Sequence, residues 1–183
     1  PKEAIHFVGH VMIDNLLYQL EKLKKMDTGV LSSNSIKPPK ESGYYFLTLH
    51  RPSNVDNQNV FQEIAAALNE LAVEHPVIFP VHPRTRKMMD QFSIKLSDNI
   101  RMTAPLGFME SLLLWKDARI VLTDSGGLQE ETTALGIPCV TIRDNTERPI
   151  TVDLGTNVLA GITRKGILNA CDKALKKVKN ASV

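Results

Sequence analysis

The chain has 183 residues, of which 43% are hydrophobic and 23% are charged, and its formal net charge at pH 7 is +2. This composition is typical of a globular domain and excludes a disordered, a collagen-like and a disulfide-rich chain. The small net charge gives no reason to expect nucleic acid or an acidic membrane surface as a partner.

The cysteine content and the N-terminal residues bear on the compartment. Cys139 and Cys171 are too few for a disulfide framework, so we expect two free thiols in a reducing compartment. The N-terminal residues do not read as a signal peptide, and no apolar run reaches membrane-spanning length. The sequence therefore predicts a soluble, cytoplasmic protein. Because it begins at Pro1, directly on an apolar stretch, we expect it to be part of a longer chain.

The first 42 residues predict a short strand, a helix and a linker. Residues 5–8 are apolar and predict the strand. The apolar residues that follow recur at helical spacing: Ile13, Leu16, Leu17, Leu20 and Leu23. Residues 26–42 show no period and contain serines and prolines, as a loop or linker does. We therefore expect residues 1–25 to be an inter-domain strand and helix, residues 26–42 a linker, and residues 43–183 one Rossmann-like domain.

From residue 43 onward, predicted strands and helices alternate. Strands are predicted at residues 44–50, 77–82, 100–104, 118–123, 139–143 and 156–160. Helices are predicted at residues 61–72, 86–96, 108–115, 128–135 and 164–178. Apolar strands that alternate with helices are typical of a parallel sheet covered by helices on both faces. The predicted fold class is therefore α/β, with a Rossmann-like parallel sheet.

Polar, basic and glycine residues follow several of the predicted strands. In an open parallel sheet, ligands bind beyond the carboxyl ends of the strands. The residues at those ends are His50 and Arg51, His82 and Arg84, residues 124–127, and residues 143–148. Because this set is basic and rich in glycine, it indicates a site for an anionic ligand.

Residues 123–127 read Thr-Asp-Ser-Gly-Gly and join a predicted strand to a predicted helix. The two glycines let a ligand approach the backbone, and the free N–H groups of a helix start favour phosphate. A tight turn with Ser125 as N-cap, and with Glu130 and Glu131 offsetting the helix dipole, explains the same residues. Glu131 is likewise either an acceptor for a ribose diol or a solvated residue of the first turn.

His50 and His82 each end a predicted strand close to an arginine. Imidazole acts as an acid or base near neutral pH, or donates to a phosphate, but a single such histidine is often a structural cap. No cluster of cysteine, histidine or carboxylate residues has metal-ligand spacing, so we expect no metal. Ser125 is not in a Gly-x-Ser-x-Gly elbow, which argues against a hydrolase nucleophile.

Four segments together resemble the non-hydrolysing UDP-N-acetylglucosamine 2-epimerase family. They are His-Arg-Pro-Ser-Asn at residues 50–54, Pro-Val-His-Pro at 80–83, Thr-Asp-Ser-Gly-Gly-Leu-Gln-Glu-Glu at 123–131, and Arg-Asp-Asn-Thr-Glu-Arg-Pro at 143–149. The resemblance implies a glycosyltransferase-B-type fold of two Rossmann-like domains, of which this chain is the second and the N-terminal domain is absent. It implies epimerisation at C2 of the sugar, through elimination of UDP and its re-addition.

The resemblance also implies roles for individual residues. Ser125, Gly126 and Gly127 hold the diphosphate, Glu131 holds the ribose, and Arg143 lies near the phosphates. The ligand is UDP-N-acetylglucosamine or UDP, no cofactor is expected, and the full-length protein is expected to be able to form a homodimer.

The resemblance makes His50 the catalytic residue of this chain. Arg51 and His82 match positions that bind a second, activating nucleotide sugar in bacterial members. The family's catalytic carboxylates come from the absent N-terminal half. Three other functions stay open: a UDP-sugar glycosyltransferase of the same fold, a hydrolysing epimerase, and a non-catalytic nucleotide-binding module.

Overall fold

A computed structural model of the chain describes residues 1–6 and 8–181, and its centre is one parallel sheet. The strands are β1 (Tyr45–Thr48), β2 (Val77–Pro80), β3 (Ile100–Thr103), β4 (Ile120–Thr123), β5 (Cys139–Thr141) and β6 (Asn157–Leu159). Their order is β3-β2-β1-β4-β5-β6, and each neighbouring pair is parallel. This is the strand order of the dinucleotide-binding Rossmann fold, so the predicted fold class is confirmed.

Eight α-helices occur within the described residues. They are α1 (Val11–Lys25), α2 (Pro52–Val55), α3 (Gln58–Glu74), α4 (Pro83–Gln91), α5 (Phe108–Trp115), α6 (Gly126–Ala134), α7 (Pro149–Asp153) and α8 (Arg164–Ala181). Single turns of 3₁₀ helix lie at Lys2–Ala4, Thr28–Val30, Ser32–Ser35 and Lys40–Ser42. No helix in this described part of the chain is long and apolar enough to cross a membrane.

Helices cover both faces of the sheet because successive side chains of a strand point to opposite faces. On β1, Leu47 faces the core that α3 and α8 build, whereas Phe46 faces the core under α1, α5 and α6. Trp115 of α5 is among the largest fully buried side chains and packs on the second face. Packing on both faces of the sheet fixes the positions of the carboxyl ends of its strands.

The two cysteines lie inside this core. Cys139 on β5 and Cys171 on α8 are both buried and free. Burial raises the pKa of the Cys139 thiol to about 11 and that of the Cys171 thiol to about 12, because a thiolate is poorly solvated there. Both therefore remain protonated at neutral pH and serve as packing groups.

Several element boundaries differ from those predicted. β1, β2 and β5 each end two residues earlier than predicted, because the polar residues after them leave the sheet and form the site. α4 begins at Pro83, since proline suits the first position of a helix, and it ends at Gln91, before the predicted end at residue 96. The short helices α2 and α7, each of which also begins with a proline, were not predicted.

The two ends of the chain and the predicted linker also need comment. Residues 5, 6 and 8 of the predicted first strand are not in a strand, and Phe7 lies outside the described residues. Leu31 and Ile36 of the predicted linker pack against the core under α5, and Ser33 is fully buried. α8 continues to Ala181, and residues 182–183 of the predicted domain lie outside the described residues.

Candidate functional site

The candidate site lies beyond the carboxyl ends of β1 and β4. From β1 the chain passes to β2 on one side. From β4, which lies against the other side of β1, it passes to β5, away from β1. Connections therefore leave these two neighbouring strands in opposite directions, which opens a crevice between them. Ligands bind in such a crevice in open α/β sheets.

The turn between β4 and α6 presents an open helix start. Ser125 is the N-cap residue of α6, but its side chain makes no capping hydrogen bond. Its backbone N–H donates to the hydroxyl of Thr123 over 2.9 Å. A Cβ built on Gly126 would collide with a carboxylate oxygen of Glu147, and one on Gly127 would lie 2.9 Å from Cε of Met12. Both neighbours are the ends of flexible side chains, so they occupy the space beside these glycines without making glycine a requirement.

Two arginines and a glutamate surround the first turn of α6. Glu147 accepts from Nη2 of Arg51 over 3.1 Å and from Nη1 of Arg143 over 2.6 Å. Nε of Arg51 also donates to the backbone carbonyl of Asp124 over 2.7 Å. A backbone N–H and the Arg143 guanidinium hold the pKa of Glu147 below its usual value. A carboxylate of the chain thus lies beside Gly126, between two guanidinium groups.

His50 is held against a buried carboxylate. Nδ1 of His50 lies 3.0 Å from Oδ1 of Asp124, and the Asp124 side chain is fully buried. The backbone N–H groups of His50 and Arg51 donate to Oδ2 of Asp124 over 2.9 and 2.7 Å. The contact with Asp124 raises the pKa of the His50 imidazole, although burial and the Arg51 charge act in the opposite direction.

His82 lies beside His50, and its neighbour Arg84 does not share the site. The two imidazole centres are 5.7 Å apart. Nδ1 of His82 accepts from the Arg84 backbone N–H and caps α4, while the Arg84 guanidinium pairs with Asp56. His82 therefore both caps a helix and lines the site, as the two interpretations of these histidines allowed.

A cavity of about 500 Å³ joins these groups. Its polar side is formed by five of the residues singled out from the sequence: His50, His82, Ser125, Gly127 and Glu131. Its apolar side includes Pro105, Leu106, Phe108 and Trp115. Gly126, Arg51 and Arg143 lie around Glu147, at the start of α6, and are not among the residues that line this cavity.

Glu131 is the carboxylate that faces this cavity. Burial, together with the charge of the adjacent Glu130, raises the pKa of Glu131 to about 7. Glu130 itself turns away, to Nε2 of His10 and Nε of Arg148, each over 3.0 Å. The site thus offers an open helix start, basic groups, an apolar wall and, among the residues that line the cavity, one carboxylate. Among the described residues, no group of three or more histidine, cysteine or acidic side chains could hold a metal ion.

Three features of the site were not identified from the sequence as functional. Asp124 and Glu147 were included only within ranges of strand-end residues and motifs, and neither was given a role of its own. The apolar wall on residues 105–108 carried no signal beyond its place after a predicted strand. Their sequence separations explain this, since Asp124 and His50 are 74 positions apart and Glu147 and Arg51 are 96 positions apart.

Comparisons with known proteins identify the family. The family model described as UDP-N-acetylglucosamine 2-epimerase matches residues 1–183. The UDP-N-acetylglucosamine 2-epimerase of Methanococcus maripaludis is 41% identical over 180 residues, which are 95% of this chain and 49% of that protein. The chain thus spans about half the length of the curated relatives it matches.

Solved structures agree with this match. The Methanocaldococcus jannaschii UDP-GlcNAc 2-epimerase in complex with UDP-GlcNAc and UDP has a TM-score of 0.87 at 36% identity, over 96% of this chain and 49% of that one. The Neisseria meningitidis enzyme bound to UDP-GlcNAc has a TM-score of 0.81 at 27% identity, over 97% of this chain and 50% of that one. The chain belongs to the UDP-N-acetylglucosamine 2-epimerase family.

Proposed function

We propose that this chain is the UDP-binding half of an enzyme that interconverts UDP-N-acetylglucosamine (UDP-GlcNAc) and UDP-N-acetylmannosamine (UDP-ManNAc). The observation that carries the proposal is the cavity at the β1–β4 crevice, where the open start of α6, Glu131 and the His50–Asp124 pair meet. Family membership and the ligands named for the similar structures support the same substrate. The half-length match supports a preceding domain that completes the enzyme.

The proposed binding mode places the diphosphate at the first turn of α6. There the backbone N–H groups of Gly126 and Gly127 and the Ser125 hydroxyl face the phosphate oxygens. The diphosphate takes the place that the Glu147 carboxylate holds beside Gly126, and so gains Arg143 as a partner.

The ribose and the base extend from the diphosphate into the cavity. Glu131 accepts from the ribose hydroxyls, because its carboxylate is the one that faces the cavity. The apolar wall at Leu106 and Phe108 excludes water from the nucleoside.

The proposed chemistry is an elimination followed by a re-addition. The C1–O bond breaks, its electron pair stays on the phosphate oxygen, and a base of the preceding domain takes the C2 proton. The His50 imidazolium donates to the leaving phosphate oxygen and lowers the barrier to its departure. The elimination leaves a C1=C2 double bond. A proton then returns to C2 on the opposite face, UDP attacks C1 and gives the proton of its phosphate oxygen back to His50, and the epimer results.

The remaining assignments are proposals of the same kind. We propose that Arg51 and His82 contribute to a second nucleotide-sugar site in the complete enzyme. We also propose that the chain divides into residues 1–25, 26–42 and 43–183. The full-length protein is proposed to form a homodimer and to be cytoplasmic. The free thiols of Cys139 and Cys171 support the location.

One experiment tests the proposed reaction. The longer protein is incubated with UDP-GlcNAc, and the sugar is followed by NMR. UDP-ManNAc is the expected product. Free ManNAc would instead identify a hydrolysing epimerase, transfer of the sugar to an acceptor would identify a transferase, and unchanged substrate would indicate a non-catalytic binding module.

Truncation of the two proposed contact residues should weaken UDP binding. Glu131→Ala is expected to cost about 1–3 kcal/mol of UDP binding energy and Ser125→Ala about 0.5–1.5 kcal/mol, the ranges for a charged and a neutral hydrogen bond. Because the Ser125 side chain makes no cap, its loss should leave α6 intact. Calorimetric titration of UDP measures both, and Glu74→Ala, on the surface of α3, is the control. Unchanged affinity in both variants would refute the assignment.

The Glu131 contribution should depend on pH. With a pKa of about 7, the carboxylate is roughly one-tenth ionised at pH 6 and nine-tenths ionised at pH 8. Since the ionised form is the stronger acceptor for the ribose, the ratio of UDP Kd in Glu131→Gln to that in the wild type should rise over this range. The ratio cancels the titration of UDP and of the histidines, which both proteins share. A constant ratio would contradict this role of Glu131.

A further inference from the structure

Asp124 uses both oxygens of a fully buried carboxylate at the point where β1 and β4 end. Oδ2 accepts hydrogen bonds from the backbone N–H groups of His50 and Arg51. The side-chain amide of Asn54 also donates to Oδ2, over 3.3 Å. These contacts hold the segment after β1 to the segment after β4. The contacts of Oδ2 therefore give Asp124 a structural role.

Oδ1 has a separate use. Within the described residues it has no partner other than Nδ1 of His50, which lies 3.0 Å away. Burial of a carboxylate oxygen without a hydrogen-bond partner costs free energy. The contact with the His50 imidazole is the one that offsets this cost for Oδ1. The ring it faces is the one that lines the cavity beside Ser125.

We infer that Asp124 is the positioning residue that fixes the orientation and the tautomer of His50, an inference that rests on the proposed function. An ionised carboxylate only accepts, so it keeps a proton on Nδ1 of the imidazole. Nε2, on the opposite edge of the ring, is then the atom that exchanges a proton with the substrate. The proton of Nε2 goes to the leaving phosphate oxygen, which keeps the C1–O electron pair, while Nδ1 keeps its proton beside Asp124.

The groups around His50 give this inference a sharp test. The charged or titratable groups that face it are Asp124, Arg51, His82 and, across the cavity, Glu131. Asp124 raises the pKa of His50, whereas burial and Arg51 lower it. Removal of the carboxylate charge therefore leaves the influences that lower the pKa.

The test is a pH titration of the ¹⁵N-labelled histidines by NMR, in the chain and in two variants. The wild type should show Nδ1 protonated in neutral His50 and a pKa above the ordinary value of about 6.5. Asp124→Asn should lower that pKa by about 1–3 units. Asn54→Ala, which removes a donor from the same carboxylate without touching the imidazole, should keep both wild-type features.

The wild-type spectrum keeps the test decisive if Asp124→Asn does not fold. A neutral His50 protonated at Nε2, or a wild-type pKa at or below about 6.5, would overturn the inference without any variant. So would an Asp124→Asn protein that folds, as judged by circular dichroism, and titrates like the wild type.

A second measurement separates this inference from the proposed reaction. In the longer protein, Asp124→Asn should lower kcat roughly tenfold or more with little change in the Kd of UDP, since orientation and tautomer of the imidazole are both lost. The loss of activity at high pH should begin at a lower pH than in the wild type. Absence of any epimerase activity would refute the proposed reaction and leave the NMR result standing. Full activity with an unshifted pH profile would refute the role of Asp124 alone.

Discussion

Replacement of His50 by alanine in the longer protein is expected to lower turnover by about 10²–10⁴-fold, the usual worth of general acid assistance. The UDP Kd should change far less. His50 lines the same cavity as Ser125, its Nδ1 is held by Asp124, and the contact with Asp124 raises its pKa. An imidazolium in this place assists when charge develops on the leaving phosphate oxygen, whereas UDP in the ground state keeps its other contacts.

Steady-state kinetics and a separate UDP titration measure the two effects. His75→Ala is the matched control, because this imidazole packs on Tyr45 and contacts the backbone of Ser42 at the opposite end of β1. Equal and small losses of rate and affinity in His50→Ala would reduce His50 to a binding residue. A larger loss of rate in His82→Ala would move the acid to the neighbouring ring.

The 183-residue chain by itself is expected to fold and to bind UDP weakly, and to show no epimerase activity. Folding should succeed because the six-stranded sheet has a core on each face. Binding should persist because the start of α6, Glu131 and Arg143 all belong to this chain. Binding should be weak because the site is open: the His50 side chain is 41% exposed, so water screens the phosphates.

The 183-residue chain by itself is expected to be inactive because of the chemistry required at C2. Removal of that proton needs a base held in a closed, dry site, and the family resemblance places the catalytic carboxylates in the absent half. Circular dichroism, calorimetry with UDP and an NMR assay with UDP-GlcNAc test the three parts of this expectation. UDP-ManNAc formed by the 183-residue chain would show that the catalytic groups lie within it, with Glu131 as the first base to examine.

Much of the site was predictable because its residues sit at the ends of locally encoded strands. A strand such as Ile120–Thr123 is recognisable from its own apolar run, and the Ser-Gly-Gly that follows reads as a helix start. Because ligands bind beyond the carboxyl ends of parallel strands, the sequence places His50, His82, Ser125 and Glu131 in one candidate site. The structure brings these four to one cavity.

Other parts of the site depend on contacts between distant segments. Glu147 lies beside Gly126 because the segment after β5 folds back over α6, which no local pattern in either segment reveals. Buried Gln129 reinforces this arrangement, since its side-chain oxygen accepts from Thr146 and Asn157. Short helices that begin with proline, such as Pro149–Asp153, are likewise too brief to show a period.

The sequence by itself determined the α/β class, the strands and longer helices to within a few residues, and the edge of the sheet that carries the site, because periodicity and turn chemistry act over a few neighbouring residues. Only the tertiary structure decided that β4 lies against β1 and not beyond β3. That choice depends on how the two faces of the sheet are covered, and it brings Asp124 to His50 across 74 positions of sequence. The partner of the proposed catalytic imidazole is therefore a consequence of strand order, which residues near His50 do not encode.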